Sequence, residues 1–459
     1  MAVGGRDRFA PGRIAGPGVD RTQFLLAPPG LFPDRGSSSR NSLLDRPSGS
    51  GQRKEEHPPF VRLLSSRRRT AGGIFTLTPE RIGRSLRLYY FFYFGAIGIL
   101  EPYLTLYFRH LGLSGSEIGI LAGIPGLIFA LFPFLWTLWA DTRHCRRTVF
   151  LLNTWATPVA FLLLFAGKSF GLLFFASLLF AAFRSPLIPF LNTYSLQYGK
   201  ERGIDFARFR VWGSLGYIVA AIGCGQLIDI SSPRAALYGI LVCLLLCGIS
   251  WGKGLEEKEG KERIRKWNWS GLRGERKLLL LLLVGLLTWM SWAPYSNFFT
   301  IHLEGLGISK GWAGLAWALG VSSEVGLMFA WPALSSRFRS QDLLSVGLFL
   351  VASRWLLYSI VRGPGAILSL QLLHGITFAC FYLSSMALLE EVVPPVLRAS
   401  GQGVYSAVTF GLGNLLGGPL SGILFDRLGM VVLFRVASLL ALMALILHEW
   451  SSRVRPCKP

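Results

Sequence analysis

The sequence predicts an all-α membrane protein with twelve transmembrane helices arranged as two six-helix pseudo-repeats. Three observations carry this. Twelve apolar segments run from about Leu86 to Leu447, each close to the roughly 20 residues that cross a bilayer as a helix. The longest hydrophilic stretch between them, 253–276, divides them six and six. Two motifs also recur at nearly equal offsets. GLSGSEIGILAGI (112–124) is echoed 195 residues later by GISKGWAGLAWAL (307–319). GQLIDI, ending the fifth segment, is echoed 197 residues later by GILFDRLG, ending the eleventh.

The chain has 459 residues, of which 51% are hydrophobic. No soluble core needs so many unbroken apolar runs. The net charge of +22 could point to nucleic acid, but the basic residues lie in the gaps between apolar runs and in the N-terminal tail. That is the distribution of a membrane protein with basic cytosolic loops, and no nucleic-acid partner is expected. The six cysteines are scattered, without CxxC or metal-ligand spacing, so neither a disulfide framework nor a zinc site is expected.

In chain order, residues 1–80 are rich in Gly, Pro, Ser and Arg and read as a disordered basic N-terminal tail. The N-terminal six-helix bundle (81–252) contains spans at 86–108, 117–139, 149–166, 170–196, 210–228 and 235–252. Its first span carries Glu101 beside Pro102, either a helix-kink partner or a site. Its second has Gly119 and Gly123 one turn apart, a spacing that lets helices approach closely. Its fourth holds Arg184, lining a cavity or snorkelling, and the kinking pair Pro186 and Pro189. The cytosolic loop 253–276 follows. The C-terminal six-helix bundle (277–449) contains spans at 277–303, 312–334, 342–361, 366–390, 398–424 and 430–448, and 450–459 form a cytosolic tail. Trp289, Trp292 and Tyr295 in the seventh span are read as packing or as a cavity wall. The eleventh has close-packing glycines at Gly413, Gly417, Gly418 and Gly422.

Loop charge sets the orientation. With the N-terminus inside, the cytosolic loops hold Arg143, Arg146, Arg147, Lys200, Arg202, Arg337, Arg339 and Arg398. Both termini are therefore expected in the cytosol, in a bacterial-type inner membrane. Ionisable residues stand near the middle of three spans: Glu324 in GVSSEVGLMF, Arg354 in FLVASRWLLY and His374 in LQLLHGITF. Charge at bilayer depth is costly, so it faces a partner or a water-filled cavity. Twelve spans with such groups read as a solute transporter working by alternating access, with the lipid bilayer as its surroundings.

The loop after the second span reads WADTRHCRRT (139–148). An acid at a helix end followed by a basic cluster resembles the cytosolic signature of the major facilitator superfamily, with Thr137 where the family usually has Gly. DFARFRVWGSLGY, SEVGLMF, and Arg354 followed twenty residues later by His374 resemble the proton-symporter group containing lactose permease and the phenylpropionate permeases. QLLHGITF and RASGQGVYSAVTFGLGNLLGGPLSGILFDRLG resemble the phenylpropionate branch most.

That resemblance implies roles. Asp141, Arg146 and Arg147 would form the cytosolic gate, with Asp141 latching onto the eleventh helix near Pro395–Arg398. Arg210 would grip substrate, Ser214 and Tyr217 would continue its face, and Glu324 would carry the coupling proton. Arg354 and His374 would be its partners, with His374 also touching substrate. Asn192 and Thr377 depart from the group, standing where it carries carboxylates. Asn192 leaves Arg210 without its usual partner, which favours an anionic substrate.

The function expected is therefore proton-coupled import of a small organic solute, an aromatic phenylpropionate-like monocarboxylate or a sugar. The alternatives are a proton-antiport exporter and a non-transporting receptor or scaffold. No HExxH, Ser/Lys or Asp pair supports an enzyme. No cofactor is implied, and a monomer is expected, with substrate and protons as its partners.

Overall fold

The computed structural model describes residues 79–251 and 276–453. The expected tail 1–80 and loop 253–276 thus lie outside the described residues almost entirely, and the tail 450–459 does so from residue 454 on. The described residues are helical, with no β-strand among them.

The helices run α1 Pro79–His110, α2 Gly115–Thr142, α3 Arg146–Leu162, α4 Phe170–Arg184, α5 Leu187–Arg202, α6 Ala207–Ile230 and α7 Arg234–Trp251. They continue as α8 Arg276–Gly305, α9 Lys310–Arg337, α10 Ser340–Tyr358, α11 Pro364–Val392, α12 Arg398–Ser406 and α13 Gly413–Arg453. Ten stretches of the described residues are long and apolar enough to cross a membrane. One of them covers α4 and α5 together, another runs over Ser400–Ser452, and α10 is not among them.

Three segments differ in detail from the sequence expectation. The fourth breaks at Ser185 and Pro186 and restarts at Leu187, because proline cannot donate to the preceding turn and its ring crowds that turn's carbonyl. The eleventh contains a π-helical stretch, Ala407–Leu412. The expected gap before residue 430 is a one-residue break inside α13, at Gly429 with φ 73° and ψ 178°. That backbone suits glycine because it has no Cβ.

α1 packs on α6, α7 and α8, and α8 packs on α13. Two further pairs, α2 with α13 and α6 with α9, join early helices to late ones. Both use the echoed motifs. Ser114 and Ser309 are the N-caps of α2 and α9, their hydroxyls accepting from the Glu117 and Trp312 amides. Asp426 of α13 accepts from the Gly115 and Ser116 amides at 2.7 Å. Asp229 of α6 accepts from the Lys310 and Gly311 amides at 2.8 and 2.7 Å. Each carboxylate thus sits on the positive end of a helix that starts in the other echo. Beneath one clamp, a Cβ on Gly119 would collide with the Gly418 carbonyl oxygen, so α2 and α13 meet backbone to backbone. Beside the other, the Tyr103 hydroxyl donates to Ala221 O and Lys310 O at 2.8 and 3.1 Å, tying α1 to α6 and α9.

Candidate functional site

Inside the bundle two walls face each other. The first is built by α1, α5 and α6. Arg210, Ser214 and Tyr217 follow one another along α6 at helical spacing, so they share a face. The Arg210 guanidinium lies 3.9 Å from the centre of the Phe94 ring of α1. Among the described residues no carboxylate is within ion-pair distance of it. Asn192 of α5 is buried and accepts from the Tyr90 hydroxyl at 2.6 Å, so it does not partner Arg210. Ser214 is half-buried between Arg210 and Tyr217. Tyr217, 5% exposed, donates its hydroxyl to Glu101 Oε2 at 3.0 Å.

The second wall is built by α8, α10 and α11. Arg354 is wholly buried. Its guanidinium donates to Gln371 Oε1 at 2.8 Å, to His374 Nδ1 at 3.2 Å, to the Tyr358 hydroxyl at 3.3 Å and to Thr377 Oγ1 at 3.5 Å. Tyr295, Trp355, Tyr358 and Trp292 surround it, with ring centres at 4.6, 5.0, 5.4 and 5.8 Å. A buried cation is tolerable where acceptors and aromatic faces replace its water.

One consequence concerns His374. Arginine can only donate, so the Nδ1 that receives its hydrogen is bare and a neutral ring carries its proton on Nε2. That Nε2 points toward Glu324 of α9, 4.0 Å from Oε2, beyond direct hydrogen-bond length. Glu324 is half-buried, with Arg210 and Glu101 as the charged groups that act on it at longer range. The second wall is therefore a chain from Arg354 through His374 to Glu324, and its carboxylate end faces Arg210.

Of the residues expected at the site, Arg210, Tyr217, Glu324, His374 and Arg354 thus share the interior. Ser214 is on the same α6 face and Asn192 sits behind it, bound to Tyr90. Asp141, Arg146 and Arg147 lie away from it, at the α2–α3 turn. There Asp141 accepts from Arg146 Nε at 2.5 Å within its own loop. No hydrogen bond or ion pair joins Asp141 to Pro395–Arg398 among the described residues, and Arg398 donates instead to Glu390 O at 3.4 Å.

Sequence reasoning passed over Tyr90, Phe94 and Gln371. Each carried a faint signal. Tyr90 and Phe94 are four apart on α1, and Gln371 is one turn before His374 on α11. Trp292 and Tyr295, left open between packing and cavity wall, are buried packing around Arg354 and His374.

Known proteins share this fold. The chain is 28% identical over 376 residues to the probable 3-phenylpropionic acid transporter of Escherichia coli K12, covering 80% of this chain and 97% of that protein. It is 26% identical over 372 residues to the maltose permease of Geobacillus stearothermophilus, covering 78% and 93%. Among solved structures, the nucleoside transporter NupG superposes with a TM-score of 0.72 at 17% identity, covering 82% of this chain and 100% of that one. A bacterial homologue of the human lysosomal transporter Spinster, inward-facing and occupied, superposes with a TM-score of 0.65 at 15% identity, over 81% and 96%. The model of the MFS_1 like family matches residues 84–436. With that match over most of its length, the chain belongs to the MFS_1 like family of major facilitator superfamily transporters.

Proposed function

We propose that the protein is a proton-coupled symporter that imports a small organic solute by alternating access, and that the solute is an aromatic monocarboxylate of the phenylpropionate type. The observation that carries this is Arg210, an interior arginine that rests on Phe94 with no carboxylate within ion-pair distance among the described residues. A substrate carboxylate can supply the missing partner in bidentate form, and Phe94 and Tyr217 offer ring faces beside it. Similarity to a probable 3-phenylpropionic acid transporter supports the same solute class. Sugar remains the runner-up solute, supported by similarity to a maltose permease.

Glu324 carries the coupling proton, with His374 held beside it by Arg354. The twelve spans fall into bundles 81–252 and 277–449. In this reading α4 and α5 make one span, α10 is the ninth, and α13 holds the last two on either side of Gly429. With both termini in the cytosol, the two aspartate clamps lie on the outer side and Asp141 with Arg146 and Arg147 on the inner side. The clamps join the two halves on the outer side.

The test is uptake into proteoliposomes under an imposed pH gradient, with radiolabelled 3-phenylpropionate, maltose and uridine compared. Gradient-driven accumulation of the aromatic acid, lost in Glu324→Gln, is expected. Equilibration without accumulation, the same in the variant, would refute proton coupling. Accumulation of maltose with no competition by the acid would refute the solute class.

A further inference from the structure

Glu101 is a second interior carboxyl that the site described so far does not use. It sits in the second half of α1, followed by Pro102, in an otherwise apolar stretch. Its side chain is exposed and takes a direct hydrogen bond from Tyr217 of α6; Arg184 of α4 and Glu324 of α9 are the charged groups of other helices that act on it at longer range. Tyr93 of its own helix and, through Tyr217, Tyr295 of α8 are further titratable groups in this electrostatic neighbourhood. The Tyr217 bond holds this exposed carboxyl toward α6. Its place is fixed by backbone contact. A Cβ on Gly98, one turn earlier, would come within 2.5 Å of the Tyr217 carbonyl oxygen, so α1 and α6 touch there. No lysine or arginine is within ion-pair distance of Glu101 among the described residues. Arg184, 6% exposed, lies against the Phe129 and Phe180 rings, at 4.8 and 5.3 Å.

We propose that Glu101 is a second proton-carrying carboxyl of this cavity, and that its protonation turns the Tyr217 hydroxyl toward substrate. Ionised, Glu101 accepts the Tyr217 hydrogen across the 3.0 Å between their oxygens. When cavity water delivers a proton to Glu101, the carboxyl O–H becomes the donor and the Tyr217 oxygen the acceptor. The phenolic hydrogen is then free for an oxygen of the bound solute. The same proton removes a negative charge from the cavity. Both effects favour an anion, so acid strengthens its binding. The meaning for transport rests on the symport reading above; the protonation itself does not.

The first test needs no substrate. Dicyclohexylcarbodiimide modifies only a protonated carboxyl: its nitrogen takes the proton, the carboxylate oxygen adds to its carbon, and rearrangement leaves an N-acylurea on the side chain. Reconstituted protein would be labelled across a pH series and the peptide carrying Glu101 quantified by mass spectrometry. Labelling at Glu101 should fall as pH rises. Tyr217→Phe removes the donor that favours the carboxylate, and should extend labelling upward by about one pH unit. The second test is 3-phenylpropionate binding in Glu101→Gln, which keeps a hydrogen-bonding side chain and should bind with the affinity of the acid form at every pH.

A Glu101 that never labels while Glu324 does, or labelling indifferent to pH, would overturn the proposal and leave the symport reading standing. Glu101 labelling as expected, with no gradient-driven uptake of any probe, would sink the symport reading and support the protonation.

Discussion

Arg210 and Arg354 are both arginines at membrane depth, on facing walls, and the molecule treats them oppositely. Arg354 is wholly enclosed by four aromatic rings and has acceptors in Gln371, His374, Tyr358 and Thr377. Arg210 is half-buried, rests on one ring and has no ion-pair partner among the described residues. A cation whose donors are already used is a fixed charge, able to orient His374 and act on Glu324 through it. A cation with donors to spare is a binding group. On the proposed reading the same residue type serves structure on one wall and recognition on the other, and the surrounding acceptors decide which.

The sharpest way to break this contrast is to remove each arginine. Arg354→Leu strands Gln371, His374 and the aromatic cage, and breaking such a buried network costs on the order of 3–5 kcal/mol. A fall in unfolding temperature of several degrees in detergent is expected. Arg210→Gln should leave that temperature within a degree or so and abolish 3-phenylpropionate uptake. Equal destabilisation by both substitutions would erase the distinction.

A smaller effect belongs to the ring beneath Arg210. Phe94→Leu keeps apolar bulk but removes the π face, worth roughly 0.5–2 kcal/mol. The KM for an aromatic acid should rise about 2- to 30-fold, with protein yield and unfolding temperature little changed. An unaltered KM would mean that Phe94 does not hold Arg210 in its binding pose.

The smallest effects come from the clamps that hold the walls at one end. Asp229→Asn and Asp426→Asn each weaken a charge on a helix N-terminus, worth about 0.3–1 kcal/mol. Each should shift the balance away from the clamped state by roughly 2- to 5-fold, and the double variant by about the product. Reaction of a cysteine introduced at Ser116 with a membrane-impermeant thiol reagent would read this as faster modification. Unchanged rates in the double variant would show that glycine-mediated helix packing alone keeps that end shut.

Much of the fold was legible in the sequence because its causes are local. Hydropathy places the helices, since a bilayer segment must satisfy its own backbone. The echoed motifs marked two helix starts and two helix ends, and Ser114, Ser309, Asp229 and Asp426 are the residues that make them. For the interior, Arg210, Tyr217, Glu324, Arg354 and His374 stood out because ionisable and polar groups are rare in apolar spans. Tyr90, Phe94 and Gln371 did not, because an aromatic or an amide in a membrane helix is common.

The sequence by itself determined which segments are helices, which of them carry charge, and that two motifs repeat. Pairing was decided by the tertiary structure alone. Tyr217 reaches Glu101 from 116 residues away, and Asp426 reaches Gly115 from 311. The reason is geometric. Hydropathy fixes a helix and its approximate depth, but leaves its rotation and its neighbours free. Those are set by where backbones can touch, as at Gly98 with Tyr217 and Gly119 with Gly418. Once those contacts are made, Arg354 is enclosed and Arg210 is left half-buried against Phe94.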